Sequence, residues 1–144
     1  MTPSISRAII GGLIGTIIMT LMMMYLAPMM TGHSMDIAAM LGGMMGGWMV
    51  GMVVHVILGV IVFPIIYVLF FYHVIGGTCV VRGMAYGIVL WLIAVVVVMP
   101  LAGAGVLMSN VGGMKAVIAA LIGHLVYGGI VGSFAGYELV RRSA

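Results

Sequence analysis

Four long apolar stretches, separated by short clusters of glycine and polar residues, take up nearly the whole sequence. They lie at about residues 7–30, 46–72, 83–101 and 114–140. Each is long enough to cross the hydrocarbon layer of a bilayer as an α-helix, which takes about 20 residues. Only five basic and two acidic residues occur among 144, far below the roughly 25% of charged residues in soluble domains. The sequence therefore predicts an all-α, polytopic integral membrane protein.

The short connections predict a four-helix bundle in up-down-up-down order, folded as a single transmembrane domain over residues 1–144. A signal peptide is the competing interpretation of the first stretch. The run from Ala8 to Leu26 is too long for one, and no small-x-small cleavage pattern follows it. Residues 37–45 predict a short amphipathic helix on the membrane surface. Pro64 is expected to kink the second span, because proline removes a backbone donor and clashes with the preceding turn.

Basic residues near the ends of the apolar stretches predict the orientation of the chain. In a four-span arrangement Arg7, Arg82, Arg141 and Arg142 fall on one side of the membrane, and Lys115 falls on the other. Because short cytoplasmic loops carry an excess of lysine and arginine, both termini are predicted to be cytoplasmic. The expected location is the cell inner membrane. A nucleic-acid partner is not expected, since so few scattered basic residues form no basic surface.

The two halves of the sequence resemble each other, which predicts a two-helix tandem repeat. The matching pairs are Arg7 with Arg82 and Gly12 with Gly87 at an offset of 75 residues, and His55 with His124 and Gly59 with Gly128 at an offset of 69 residues. Because each half has two spans, both halves would share one orientation and be related by a pseudo-twofold axis along the membrane normal.

Two histidines, His55 and His124, form the first candidate site. Each lies about nine or ten residues into a span that begins on the same side, so the two imidazoles are expected at matching depth. In an up-down-up-down bundle the second and fourth helices are diagonal, and their inner faces oppose each other across the core. Small residues flank the two histidines by about one turn, namely Gly51, Gly59, Ala120 and Gly128.

Imidazole is a good axial ligand of haem iron and a good ligand of other transition metals. The placement of His55 and His124 is similar to that in membrane b-type cytochromes, in which opposed helices of a bundle supply the axial histidines. That resemblance implies haem b between the two side chains, and a metal ion is the alternative occupant. The structural alternative is that each histidine hydrogen-bonds a neighbouring helix and binds no cofactor.

A cluster of methionines marks a second candidate site, on the outer side of the predicted bundle. Twelve of the seventeen methionines fall between Met19 and Met52. Thioether sulfur selects Cu(I) and imidazole also suits copper, so the cluster predicts a copper-binding mouth that leads towards His55. The expected ligands are His33, Met29, Met30, Met35 and Asp36. The alternative is that these methionines fill irregular apolar space or contact a partner protein.

The remaining patterns concern assembly and catalysis. Glycines spaced by four, such as Gly128 and Gly132, let helices approach closely and predict a homo-oligomer or a subunit of a larger membrane complex. The two carboxylates, Asp36 and Glu138, belong to opposite ends of the bundle and cannot act as a paired acid and base. No nucleophile motif or nucleotide-binding motif is present. The chain is therefore predicted not to be an enzyme.

In size, hydropathy and glycine-rich spans the whole chain resembles the small four-helix inner-membrane proteins of bacteria, and that resemblance implies no particular activity. Its mean hydropathy is +1.42. Three functions remain open: a redox or metal module that uses His55 and His124, a structural or self-assembling membrane subunit without a cofactor, and copper handling or permeation through the outer mouth.

Overall fold

The computed structural model describes residues 2–136, and every regular element in this part of the chain is a helix. Four helices are long and apolar enough to cross a membrane, and a shorter helix lies between the first two. The helices are α1 (Ile5–Thr31), α2 (Ile37–Met45), α3 (Trp48–Val74), α4 (Cys79–Leu101) and α5 (Met114–Ala135). The last predicted residues of the fourth span, with Glu138, Arg141 and Arg142, lie outside the described residues.

Polar side chains and glycines determine where these helices begin. Ser4, Asp36 and Thr78 stand immediately before α1, α2 and α4, and each side chain accepts a hydrogen bond from a backbone N–H of the first turn. Such caps satisfy one of the donors that a helix start leaves free. α3 and α5 instead follow Gly47 and Gly113, whose positive φ angles of 125° and 58° turn the chain sharply.

Three prolines inside the long helices each follow a widened, π-helical turn. The π turns are Met22–Leu26, Leu58–Val62 and Ala94–Val98, and the prolines two residues after them are Pro28, Pro64 and Pro100. The residue before each proline donates its N–H to the carbonyl five residues earlier. Because a proline ring clashes with the carbonyl four residues back, the wider turn makes room for it. The disturbance expected at Pro64 therefore takes the form of a π turn, and α3 continues through it.

The long helices contact one another in sequence order and also close into a ring. α1 contacts α3 and α5, and α4 contacts α5 and the last turns of α3. Gly11 of α1 lies beside Val131 of α5, and Gly15 lies beside Tyr127 four residues earlier, so these two helices run antiparallel. We call the end that carries Arg82 the arginine end, and the opposite end, which carries α2, the Asp36 end.

Glycines bring α4 and α5 into backbone contact near the arginine end. Gly83 lies against Gly128 and Gly132, and Gly87 lies against the carbonyl of His124. A Cβ atom at Gly83 would collide with the backbone of α5, and one at Gly128 would collide with the backbone of α4. Close approach of this kind is a main source of helix association where lipid removes the hydrophobic drive.

Tyrosines fill the space between α3, α4 and α5 in the same half. The rings of Tyr67 and Tyr86 lie 5.3 Å apart, and both side chains are fully buried. The hydroxyl of Tyr86 donates to the carbonyl of Phe63 at 2.9 Å. Arg82 donates to the carbonyl of Tyr72 at 3.0 Å and lies over its ring. This half of the bundle is closely packed by rigid or very small side chains.

The segment predicted to lie on the membrane surface is the helix α2, which folds back along the start of α3. Gly51 of α3 lies against the backbone of Ala38 and Gly42 in α2, where a Cβ atom would have no space. The indole N–H of Trp48 donates to the carboxylate of Asp36 at 3.0 Å and links the two helix starts. α2 therefore covers the Asp36 end of the bundle.

Candidate functional site

A cavity of about 170 Å³ lies between the four long helices at the Asp36 end. α2 covers it with Ile37, Met40 and Leu41, and the loop after α4 adds Met108. Almost all of the wall is apolar. Six methionines of the described chain line it: Met19, Met23, Met35, Met40, Met99 and Met108. We call this space the methionine cavity.

Local structure explains why the methionines of α1 and α4 meet there. Met19 and Met23 are four residues apart, so they share one face of α1. That face contacts α5 at Gly123, where a Cβ atom would lie 2.9 Å from the terminal methyl group of Met23. Met99 follows the π turn of α4 and is 8% exposed. Small residues on α5 thus leave space that flexible thioether side chains fill incompletely.

Met108 is held over the cavity by a strained loop. Leu107 and Met108 both have positive φ angles, 50° and 57°. This conformation costs residues other than glycine about 1–2 kcal/mol each. Met108 is 1% exposed, whereas Leu107 is 48% exposed, and the N–H of Gly113 bonds to the carbonyl of Met108 at 2.8 Å. The loop therefore places Met108 against the cavity at a local energetic cost. Strained backbone of this kind is common at functional sites.

His55 lines the cavity with one ring nitrogen already engaged. Its Nε2 lies 3.0 Å from the hydroxyl oxygen of Thr20. That hydroxyl donates its single proton to the carbonyl of Thr16 at 2.7 Å, so it accepts from His55. Nε2 therefore carries the ring proton. The lone pair of the neutral ring is on Nδ1, for which residues 2–136 offer no hydrogen-bond partner.

His124 is fixed in the opposite tautomer on the facing helix. Its Nδ1 lies 2.8 Å from the carbonyl oxygen of Ala120, which can only accept, so Nδ1 carries the proton. The lone pair is then on Nε2, which has no hydrogen-bond partner within the described chain. A histidine that binds a metal usually donates its other ring N–H to a carbonyl, carboxylate or water. His124 has this arrangement, whereas His55 donates to the hydroxyl of Thr20, and both side chains line the methionine cavity.

The small residues predicted to flank the histidines have two different roles. Gly59 and Ala120 line the methionine cavity. Gly51 instead contacts α2, and Gly128 contacts α4, each at a point where the helix backbones touch. Two of the four flanking residues therefore shape the cavity, and the other two serve helix packing.

The cavity volume limits what the site can hold as it stands. A cavity of about 150 Å³ with apolar walls accommodates benzene or xenon, whereas drug-sized ligands occupy pockets of roughly 300–1,000 Å³. A space of about 170 Å³ thus suits an ion or a small molecule better than a porphyrin. Within residues 2–136 no three side chains of histidine, cysteine, aspartate or glutamate form a group that could hold a metal ion. Within these residues the methionine cavity is lined by two imidazoles and six thioethers.

The residues predicted for the copper mouth are only partly brought together. Met35 is buried and lines the cavity, and Asp36 lies just beyond it. Met30 packs against the core from outside the cavity, and His33 is exposed on the loop after α1. Met29 is 82% exposed and faces away from the bundle. The structure thus groups Met35 and Asp36 near His55 and leaves the other three residues outside the cavity.

Sequence reasoning missed five of the six cavity methionines as site residues. Met19 and Met23 carried a signal in the sequence, because they stand four residues apart and so share one face of a predicted helix. Met40 belongs to the predicted surface helix, whose buried side was not assigned. Met99 and Met108 lie far from the methionine cluster in the sequence, and only the fold brings them to it.

Comparison with known proteins places the chain in a family. A family model described as "Family of unknown function (DUF6789)" matches residues 2–143, a range that includes all five helices. No curated protein and no solved structure was found to match the chain. The chain is therefore a member of the DUF6789 family.

Proposed function

We propose that this protein is a small, non-enzymatic integral membrane protein that binds one Cu(I) ion in the methionine cavity. The observation that carries the proposal is the pair of histidines, each with one ring N–H engaged by a backbone or hydroxyl oxygen and a second ring nitrogen that has no hydrogen-bond partner among residues 2–136. Both line a single cavity together with six thioethers. The proposed ligands are His55 and His124, with two of the methionines completing the site.

The composition of the wall favours Cu(I) over other metals. Thioether and imidazole ligands are the combination that copper prefers, and soft sulfur selects its monovalent state. Among residues 2–136 no carboxylate lines the methionine cavity, so none of these residues offsets a second positive charge there. Burying a charge in apolar surroundings is costly, and the cost grows with the charge. A monovalent ion is therefore favoured over a divalent one, and the cavity volume favours an ion over haem b.

The membrane arrangement is part of the proposal. The arginine end is placed at the cytoplasmic face of the inner membrane, because Arg7 and Arg82 both lie there. The helices cross in up-down-up-down order, which the antiparallel contact of α1 with α5 supports. The methionine cavity then lies in the outer half of the bilayer, where α2 and the Met108 loop separate it from the outer aqueous phase.

A tandem repeat of the two halves is also proposed. Pro28 and Pro100 are 72 residues apart, and each follows a π turn in the equivalent helix. The same offset relates Gly15 to Gly87, which are both buried at helix contacts. For the first and third spans this offset replaces the 75 residues that paired Gly12 with Gly87 in the sequence comparison.

A structural subunit without a cofactor is the second candidate function. The hydrogen bond from His55 to Thr20 favours it, since a bond of this type between helices stabilises a bundle without any ligand. Apolar side chains exposed on all four long helices would then face lipid, further copies of the chain or other subunits. The two functions differ in whether the histidines bind a ligand.

Equilibrium titration of the purified, detergent-solubilised protein with Cu(I) tests the proposal. Oxygen is excluded, and a chromogenic Cu(I) chelator competes for the metal. We expect one Cu(I) per chain. Substitution His55→Leu or His124→Leu should each weaken binding at least about tenfold, because loss of a ligand costs no less than loss of its supporting group. The matched controls His33→Leu and His73→Leu remove histidines that line no part of the cavity and should change the affinity less than about twofold.

Three outcomes would overturn the proposal. A wild-type protein that binds no Cu(I) would leave the structural subunit as the better account. A haem absorption band in protein expressed with haem supplied, lost in both histidine variants, would assign the histidines to haem b. If the His55→Leu and His124→Leu variants lose no more Cu(I) affinity than the His33→Leu and His73→Leu controls, the metal binds outside the methionine cavity.

A further inference from the structure

A second, smaller space adjoins the methionine cavity on the side of α2. Its volume is about 50 Å³, and it lies between α1, α2 and the start of α3. Its walls share Met35, Ile37 and His55 with the methionine cavity. The residues that border only the smaller space are Thr20, Met24, Asp36, Ala38, Trp48 and Met52. We call this space the vestibule.

The vestibule differs from the methionine cavity in its charge. Asp36 is the only carboxylate within residues 2–136, and it lies in the vestibule wall. Its two oxygens accept hydrogen bonds from the N–H of Ala39 at 2.9 Å and from the indole of Trp48 at 3.0 Å. These bonds orient the carboxylate and use two of its roughly four lone-pair positions. A negative charge beside an apolar cavity raises the local concentration of cations.

Three thioethers accompany this charge. Met24 comes from the π turn of α1, Met52 from the second turn of α3, and Met35 from the loop that precedes α2. Met35 is nearly fully buried, and its N–H bonds to the carbonyl of Met23 at 3.0 Å. Because Met35 borders both spaces, its sulfur can remain bound to an ion while the other ligands exchange.

We infer that the vestibule is an entry site for the same Cu(I) ion, with Asp36 attracting the cation and Met24, Met35 and Met52 replacing the ligands with which it arrives. This inference rests on the proposed function of the methionine cavity. The ion then passes into the cavity by ligand exchange, in which Met24 and Met52 release it while His55 and His124 bind it. The oxidation state of copper does not change, and no proton transfer is required because both ring lone pairs are already free.

Trp48 provides a direct reporter of this route, because its indole borders the vestibule. The chain has two tryptophans, so the variant Trp91→Phe leaves Trp48 as the only one. Stopped-flow mixing of this variant with Ag(I), a soft monovalent ion that does not change oxidation state, should quench Trp48 fluorescence in two phases. The fast phase reports entry into the vestibule, and the slow phase reports transfer into the methionine cavity.

Substitutions in the Trp91→Phe background separate the two spaces. Asp36→Asn should slow the fast phase about three- to tenfold and reduce its dependence on salt, while total Ag(I) bound at equilibrium stays the same. Asparagine still caps α2, so the helix start is preserved. Met52→Leu retains the charge and should also slow the fast phase, whereas the control Met29→Leu alters an exposed thioether and should leave both phases unchanged.

The outcomes distinguish this inference from the proposed function. His124→Leu should remove the slow phase and retain the fast one. Suppose that Ag(I) binds fully in a single phase, at a rate that neither Asp36→Asn nor Met52→Leu alters. This result would overturn the vestibule as an entry site and would leave the proposed site in the methionine cavity unaffected. If the fast phase occurs but equilibrium titration shows no ion bound by His55 and His124, the proposed function is overturned instead.

Discussion

The two halves of the bundle are built from different side chains. Near the arginine end, Gly83, Gly128 and Gly132 bring α4 and α5 into backbone contact, and buried tyrosines fill the remaining space. Near the Asp36 end, methionines surround a cavity of about 170 Å³ between the same helices. Both halves are formed by the same four long apolar helices.

The difference is one of shape and flexibility. Glycine contacts leave no room for movement, because the closest atoms belong to the backbone. Methionine has several rotatable bonds and a polarizable sulfur, so it can surround an ion or retract from it. We interpret the arginine half as a rigid frame and the Asp36 half as the proposed binding region, which the frame holds in place. Three predictions test this contrast, in order of decreasing expected effect.

Gly83→Ala should have the largest effect. The added methyl group would meet the backbone of Gly128 and Gly132 and force α4 away from α5. We expect a loss of about 2–3 kcal/mol in the free energy of unfolding, the scale of overpacking a tight contact. Denaturant titration in mixed micelles measures this quantity. Gly43→Ala is the matched control, because no atom of the described chain lies within 4 Å of its added carbon, and it should stabilise α2 slightly. If the two substitutions change the free energy of unfolding equally, the interpretation of the arginine half as a rigid frame is contradicted.

Thr20→Val should weaken Cu(I) binding with little effect on the frame. Valine retains the shape of threonine and removes the acceptor that fixes the ring proton of His55 on Nε2. We expect a loss of about 10- to 100-fold in Cu(I) affinity, the usual effect of removing a group that orients a metal ligand. The competition titration measures this affinity.

The control is Thr31→Val. This threonine lies outside the cavity, and its hydroxyl bonds only to backbone atoms. If affinity is unchanged in Thr20→Val, the tautomer of His55 does not matter for binding.

Tyr127→Phe should have the smallest effect. The hydroxyl of Tyr127 donates to the carbonyl of Gly59 at 2.6 Å and links α5 to α3 beside the cavity. Its removal should lower the free energy of unfolding by about 0.6 kcal/mol, the average for hydrogen bonds in membrane bundles. Cu(I) affinity should stay within about twofold of the wild-type value, since a phenol is not a soft ligand.

The control is Tyr25→Phe, because Tyr25 is 74% exposed. A large loss of copper binding in Tyr127→Phe would show that this residue takes part in the site.

The sequence predicted the main elements of the fold for simple physical reasons. The prediction of four long apolar helices is confirmed, because only a helix satisfies so many backbone groups in an apolar stretch. The helix at Ile37–Met45 was also predicted at its observed limits, since Asp36 caps its start and Gly46 ends it. His55 and His124 were paired by their depth, and both line one cavity.

The rest of the site depends on features that leave little trace in the sequence. A helix that is apolar on every side gives no indication of which face is buried. Each π turn also changes the direction of the residues that follow it, which affects Met99 after Ala94–Val98. Met108 reaches the cavity only because it and Leu107 adopt a left-handed conformation, which nothing in their side chains favours.

X-ray absorption at the copper edge, on protein loaded with one Cu(I) per chain, tests the central claim most directly. The wild-type spectrum should contain both nitrogen and sulfur neighbours of the metal. The double variant His55→Leu with His124→Leu, loaded under the same conditions, should lose the nitrogen contribution. A wild-type metal surrounded only by oxygen and nitrogen, or a spectrum that the double variant leaves unchanged, would contradict the assignment of the methionine cavity as a copper site.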